Sequence, residues 1–416
     1  MTKNTNEQVL TRVSTASTKK KINFKQLFRL SKGSDPIINI AIFLLMIFGS
    51  FMIVSTNVGS TTSDSMIVLK TFGKQMLYVS LSYGLMWFVN RAFSFKWFAP
   101  LQGLVIIGIW AALFVTQLFP SVGGSKAWIW IGGFSIQPAE FAKPVIVLII
   151  AFSIYLAKKN PKRFTSIKRL YWTPFLTYLV MMVAILLQKD TGTLAILTMI
   201  AFICVLVPDY PVCQKFKRIL KILFVVGIIA ILVLFVFTDI GTDIIAMTPL
   251  SHIATRIENF KNPYLDVYGD GYQPANALYG IANSNIFGRG IGGSARKFGY
   301  LTQADNDYIF AVLIEETGIF GLLILIVLYG LLFKQLFHYA FKTNVTEYKV
   351  ILVGNAAYLF MHFFLNVGGV TCLIPMTGVP LLFISNGGSA LMAISAMFGI
   401  SQKCISNIRN LELEDE

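Results

Sequence analysis

From Pro36 to Thr56 the chain reads PIINIAIFLLMIFGSFMIVST, with no charged residue and a single amide, Asn39, near its start. About 20 apolar residues is the length an α-helix needs to cross the ~30 Å hydrocarbon core of a bilayer. Similar stretches recur at roughly 75–90, 99–119, 142–157, 171–187, 192–208, 219–238, 308–333, 350–371 and 388–402. Composition agrees: of 416 residues 55% are hydrophobic and 13% charged, with a mean hydropathy of +0.68. A soluble domain carries about 25% charged residues. The sequence therefore predicts an all-α, polytopic membrane protein of about ten transmembrane helices. Pro100, Pro144 and Pro174 are expected near helix starts, where a missing N–H costs little. No internal repeat is visible, which argues against an inverted-repeat transporter.

The charges set an expected topology. Residues 1–35 hold Lys3, Arg12, Lys19, Lys20, Lys21, Lys25, Arg29 and Lys32 against two acids, and no cleavable signal peptide is expected there. Placing that tail in the cytoplasm puts most of the 35 Lys and Arg residues on the same side, in alternate connections and both tails. The net charge of +15 thus reads as topology rather than nucleic-acid binding. Three parts follow: a cytoplasmic basic tail 1–35, a membrane domain 36–403, and a cytoplasmic tail 404–416. Within the tail, Phe24, Leu27 and Phe28 fall at helical spacing among lysines, as in an interfacial helix or a plain retention tail. The longest connection, about 239–307 between spans seven and eight, falls outside. It carries Asp239, Asp243, Glu258, Asp266, Asp270, Asp305 and Asp307. A loop of this length in a tight membrane protein is usually functional.

Several signals lead nowhere. Gly288-Arg289-Gly290-Ile291-Gly292-Gly293 fits a dinucleotide pattern, but no strand precedes it, so its glycines read as backbone turns. His252, His338 and His362 are far apart, and Cys204, Cys213, Cys372 and Cys404 lack paired spacing. No Walker motif is present. What remains is polar residues at the outer ends of spans. Lys126 and Trp128 lead into Gln137, Glu140 and Lys143; Lys189 and Asp190 join spans five and six; Glu315 and Glu316 enter an apolar helix. Charges at such depths are costly, and are either functional or part of a structural ion-pair network.

The runs GSKAWI, QPAEFAK, QKDTGT, DVYGDGYQ, GRGIGGSARKFGYL, DNDYIFAVLIEETG and NVGGVTCLIPMTGVPLLFISNGGSA, in this order, resemble the motifs of the SEDS family. That is the shape, elongation, division and sporulation group of bacterial cell-wall glycosyltransferases, and the resemblance covers about 35–405. It implies a ten-helix fold in the bacterial cytoplasmic membrane with both termini inside. It also implies polymerisation of lipid II into glycan strands on the outer face, beside a class B penicillin-binding protein. The family's essential aspartate matches Asp266, its outer-loop tryptophan Trp128, and its Q-P-S-E-x-x-K stretch Gln137 to Lys143. Ala139, Val267, Thr302, Gln303, Leu382 and Asn386 depart from the usual residues. Ser294-Ala295-Arg296-Lys297 resembles the division and sporulation types more than the elongation type. A septal location and other divisome partners are the corresponding expectations, with elongation or sporulation as the alternative roles.

In such a reaction a sugar hydroxyl attacks the anomeric carbon of a lipid-linked donor and displaces a pyrophosphate. Asp266 suits the general base, a role typically worth about 10²–10⁴-fold in rate. Lys143, Lys189, Arg256, Arg289 and Lys297 are candidates to steady the leaving charge, and Gln273 closes the aspartate's motif. A divalent cation, Mg or Mn, is the cofactor to expect, with Asp266 or Asp190 as oxygen ligands, and no nucleotide. The plainer reading of Asp266 is a solvated turn residue. A lipid II flippase or transporter, or a non-catalytic scaffold for a penicillin-binding protein, remain the alternatives.

Overall fold

The computed structural model describes residues 30–59, 66–132, 134–248 and 251–415. Phe24, Leu27 and Phe28 lie outside the described residues. Each predicted span falls on a helix: α1 Pro36–Val58, α2 Ile67–Ala92, α3 Phe95–Val115, α4 Pro138–Lys159, α5 Ile167–Leu187, α6 Thr191–Leu206 and α7 Pro211–Ile231. The long connection then folds into α8 Ile240–Ala246, α9 Ser251–Lys261 and α10 Tyr272–Ala282, before α11 Ile309–Lys342, α12 Thr346–Val370 and α13 Gly388–Asp415. A small antiparallel hairpin, β1 Ile129–Ile131 with β2 Phe134–Ile136, pairs Trp130 opposite Ser135 ahead of α4. Among the described residues seven helices are long and apolar enough to cross a membrane, and α6 is apolar but shorter. The protein is an all-α membrane protein. The remaining crossings of α2, α6 and α13 stay an expectation.

One helix end differs from the sequence reading. The expected tail 404–416 is helical as far as Asp415, because Cys404, Ile405 and Ile408 bury one face and carry α13 onward. Pro100, Pro144 and Pro174 fall near the starts of α3, α4 and α5, as expected, though past their first turn. Each still sits in the opening turns, so the hydrogen bond it removes is one near the helix start.

The chain alternates between a basic end and an acid-rich end. At the basic end Asp35 caps α1, accepting from Ile37 N at 2.8 Å and Ile38 N at 3.2 Å, with Pro36 in the first turn. Its other oxygen accepts from Tyr339 Oη at 2.8 Å and Arg409 Nη2 at 3.0 Å, tying α1 to α11 and α13. The centre is built on α4 and α12, whose apolar windows are 78% and 72% buried; that of α7 is 0% buried. The apolar residues left exposed on the outer helices are what a lipid-facing surface requires.

Candidate active site

At the acid-rich end α11 is broken at Gly318, whose φ of +60° and ψ of −146° leave the helix. A Cβ there would sit 2.3 Å from the Ile286 carbonyl oxygen, so only glycine admits the crossing segment. The carbonyls freed by the break accept from Arg289 N at 2.9 Å and Gly290 N at 3.0 Å. The glycines of the GRGIGG run are therefore turn residues, with positive φ at Gly288, Gly290 and Gly292. Beneath them Glu315 accepts from Ser294 Oγ at 2.5 Å and from the backbone of Ala295 at 3.2 Å. Buried Lys297 donates to Glu316 at 2.9 Å and to Ser55 Oγ at 3.2 Å. These two acids form the ion-pair network that holds the loop.

A second polar cluster lies between α4 and α12. Glu140 and Lys143 share a helix face at 2.7 Å, fully enclosed. Tyr358 Oη donates to Glu140 at 3.0 Å, and Lys143 donates to His362 Nε2 at 2.8 Å. With Nε2 accepting, the ring carries its proton on Nδ1, which donates to the Pro380 carbonyl at 3.0 Å. The pair thus braces the segment between α12 and α13.

That segment, α9, α10 and the residues before α11 enclose a pocket of about 630 Å³. Arg256 and Asn259 face it from α9, Gln273 from the start of α10, and Tyr268, Gly269 and Asp270 from its rim. Gln303, Asp307 and Tyr308 line it ahead of α11, and Cys372, Met376 and Gly378 after α12. Asp266 is exposed on the rim turn, accepting from Gly269 N at 2.9 Å and Asp270 N at 3.2 Å. A Cβ at 269 would come within 2.0 Å of Asp266 Oδ2, so Gly269 is what lets the carboxylate reach these amides. Asp307 Oδ1 is buried with no hydrogen-bond partner among the described residues. Burial pushes its carboxyl up to about 6 against the pull of Arg256, with Asp305 and Asp190 adding to the rise.

Of the residues singled out in sequence, Arg256 and Gln273 line this pocket, and Asp266 belongs to its rim turn. Gln137 Nε2 donates to Asp190 Oδ2 at 2.9 Å, while Asp190 Oδ1 caps α6 through Thr193 N at 3.0 Å. Lys126 is anchored by its backbone N–H on the Gln188 carbonyl at 3.1 Å, its side chain exposed, and Trp128 is half-buried beside it. Lys189 is exposed with a φ of +59°, and exposed Arg289 donates from Nε to the Asn283 carbonyl at 3.3 Å. Lys143 and Lys297 are enclosed in the two ion-pair clusters, where a pyrophosphate has no access without breaking them. Among the described residues no three His, Cys, Asp or Glu side chains converge as cation ligands, and both oxygens of Asp190 already accept N–H groups. No step is therefore routed through a metal. Asp307, Asn366 and His362 were not marked as site residues by their spacing; an acid directly before an apolar helix was the signal for Asp307.

The family model described as "Cell cycle protein", covering FtsW, RodA and SpoVE, matches residues 36–410. The chain is 31% identical over 381 residues to "Probable peptidoglycan glycosyltransferase FtsW" of Bacillus subtilis (strain 168), covering 90% of this chain and 91% of that one. It is 32% identical over 343 residues to the protein of the same description from Enterococcus hirae, covering 79% and 81%. A solved chain described under "Structural coordination of polymerization and crosslinking by a peptidoglycan synthase complex" shares the fold, with a TM-score of 0.64 at 23% identity over 90% of this chain and 98% of that one.

Proposed function

Because the chain belongs to the FtsW/RodA/SpoVE family of cell cycle proteins, we propose that it is a peptidoglycan glycosyltransferase that polymerises lipid II on the outer face of the bacterial cytoplasmic membrane. The observation that carries this reading is the pocket, where three of the motif runs, through Gln273, Asp307 and Gly378, meet α9 with its Arg256. The basic end is taken as cytoplasmic, which makes the pocket extracytoplasmic. Arg256 is the cation on the pocket wall suited to the leaving pyrophosphate. Asp266 is the proposed base. Its carboxylate turns to the sugar hydroxyl by releasing the Gly269 and Asp270 amides, a small motion of an exposed side chain. Septal wall synthesis beside a class B penicillin-binding protein and other divisome proteins is the setting, in keeping with the named relatives.

The test is polymer formation from lipid II by the purified full chain, with and without its transpeptidase. Asp266→Asn keeps the shape but has no basic oxygen, so it should abolish polymerisation with expression and partner binding intact. Asp270→Asn should keep substantial activity. Normal polymerisation by Asp266→Asn would end the assignment and favour the scaffold or flippase reading.

A further inference from the structure

Asp307 stands two residues before α11 with its main chain pinned on several sides. Its carbonyl accepts from Asn366 Nδ2 at 2.9 Å, and Tyr308 N donates to the Gln303 carbonyl at 3.1 Å. The preceding Asn306 carbonyl accepts from Ser385 Oγ at 2.8 Å, and Asp305 Oδ2 from Asn386 Nδ2 at 2.8 Å. The carboxylate itself is left over. Oδ1 is buried without a partner among the described residues, and Oδ2 would lie 3.5 Å from a Cβ at Gly378. Asp307 as a whole is half-buried with Oδ1 enclosed, and a polar oxygen enclosed without a protein partner costs about 1–3 kcal/mol, so a fold that fixes one against a cavity marks a functional group. The charged groups facing it are Arg256 from α9, Asp190 at the start of α6, and Asp305 on its own segment, with Tyr308 beside it.

We propose that Asp307 is a second proton-handling carboxylate of the polymerisation site: Asp266 meets the attacking hydroxyl at the rim, and the released proton comes to rest on Asp307. This rests on the pocket being the place of glycosyl transfer. In the step the hydroxyl O–H bond breaks and its oxygen bonds to the anomeric carbon of the donor. The bond from that carbon to the lipid pyrophosphate breaks, and its electron pair leaves on the pyrophosphate. The proton passes to the carboxylates, is held by Asp307 and returns to solvent before the next addition. Burial, which pushes the Asp307 carboxyl up to about 6, suits it to hold a proton close to neutral pH.

The experiment measures lipid II polymerisation by the full chain with its transpeptidase between roughly pH 5 and 8.5. The parent should show an acidic limb near pH 6, the value at which Asp307 gains its proton. Asp307→Asn should lower kcat by about 100-fold or more with KM for lipid II within about threefold. Asp307→Glu, which restores a carboxylate in a displaced position, should recover part of the rate with the acidic limb moved. If Asp307→Asn fails to fold, the limb of Asp307→Glu decides alone. Polymerisation by a folded Asp307→Asn within about threefold of the parent, or an unmoved limb in Asp307→Glu, overturns the inference. An inactive parent instead refutes the glycosyl-transfer reading, and this inference with it.

Discussion

Replacing Asp307 by asparagine should make the protein more stable at neutral pH. Burial raises the folded-state pKa of this carboxyl from the ordinary 3.8 to about 6. A raised acid favours the folded state while protonated, so its contribution is fully present below about pH 4 and is lost as pH rises through about 6. Above that the ionised carboxylate weighs against folding by roughly two pKa units, about 3 kcal/mol. Asparagine has the same shape and no charge, which removes most of that cost. For a chain of this size about 1 kcal/mol moves the unfolding midpoint by about 1–2 °C, so a gain of a few degrees is expected at pH 7.5. Thermal unfolding of the purified protein at pH 7.5 and about pH 4.5 measures it, and the gain should shrink to about a third at the lower pH. A lower midpoint for the variant at pH 7.5, or an equal gain at both, would falsify the unpaired buried carboxylate.

Glu140→Ala and Lys143→Ala should each cost about 3–5 kcal/mol by leaving one buried charge unpaired, read as loss of monodisperse protein. The pair Glu140→Gln with Lys143→Met should recover folded protein, and recovery without polymerisation would give the pair a part in substrate handling. Gly49→Ala should lower the unfolding midpoint although alanine usually favours a helix, because its Cβ would lie 2.1 Å from the Phe383 carbonyl oxygen. An unchanged midpoint would contradict that close approach. In intact cells Asp266→Cys should react with an impermeant thiol reagent and Lys162→Cys should not. Lys162 is exposed and serves here better than Cys213, which is buried. The opposite labelling pattern would invert the topology.

The bundle was legible because each crossing must satisfy its own backbone within one apolar run, a local property. What sequence missed was decided by distant partners. α13 runs past position 403 because Cys404, Ile405 and Ile408 find apolar neighbours, which its charged tail sequence hides. Glu140 and Lys143 were readable as a helix-face pair from their spacing. His362, 219 positions from Lys143, was not, since only the packing of α12 on α4 brings it to 2.8 Å. Lys297 looked free to meet a pyrophosphate until Glu316 took it inside. Arg256 and Gln273 are readable as polar candidates, yet the pocket they line also needs Asp307 and Met376, from segments distant in the chain that no local pattern brings together.

α7 leans on its neighbours through ring contacts such as Tyr171 with Phe216 and Phe202 with Phe224, while none of its apolar window is buried. Most of its apolar surface is therefore left to face acyl chains rather than other helices. The helix ends in a widened turn at Leu232–Phe237, and an ion pair of 2.5 Å between Asp239 and Lys261 ties that end to α9, the helix that carries Arg256. The lipid-facing helix and the helix of the pocket wall thus meet at an exposed ion pair, a contact worth about 0–1 kcal/mol and weakened further by salt.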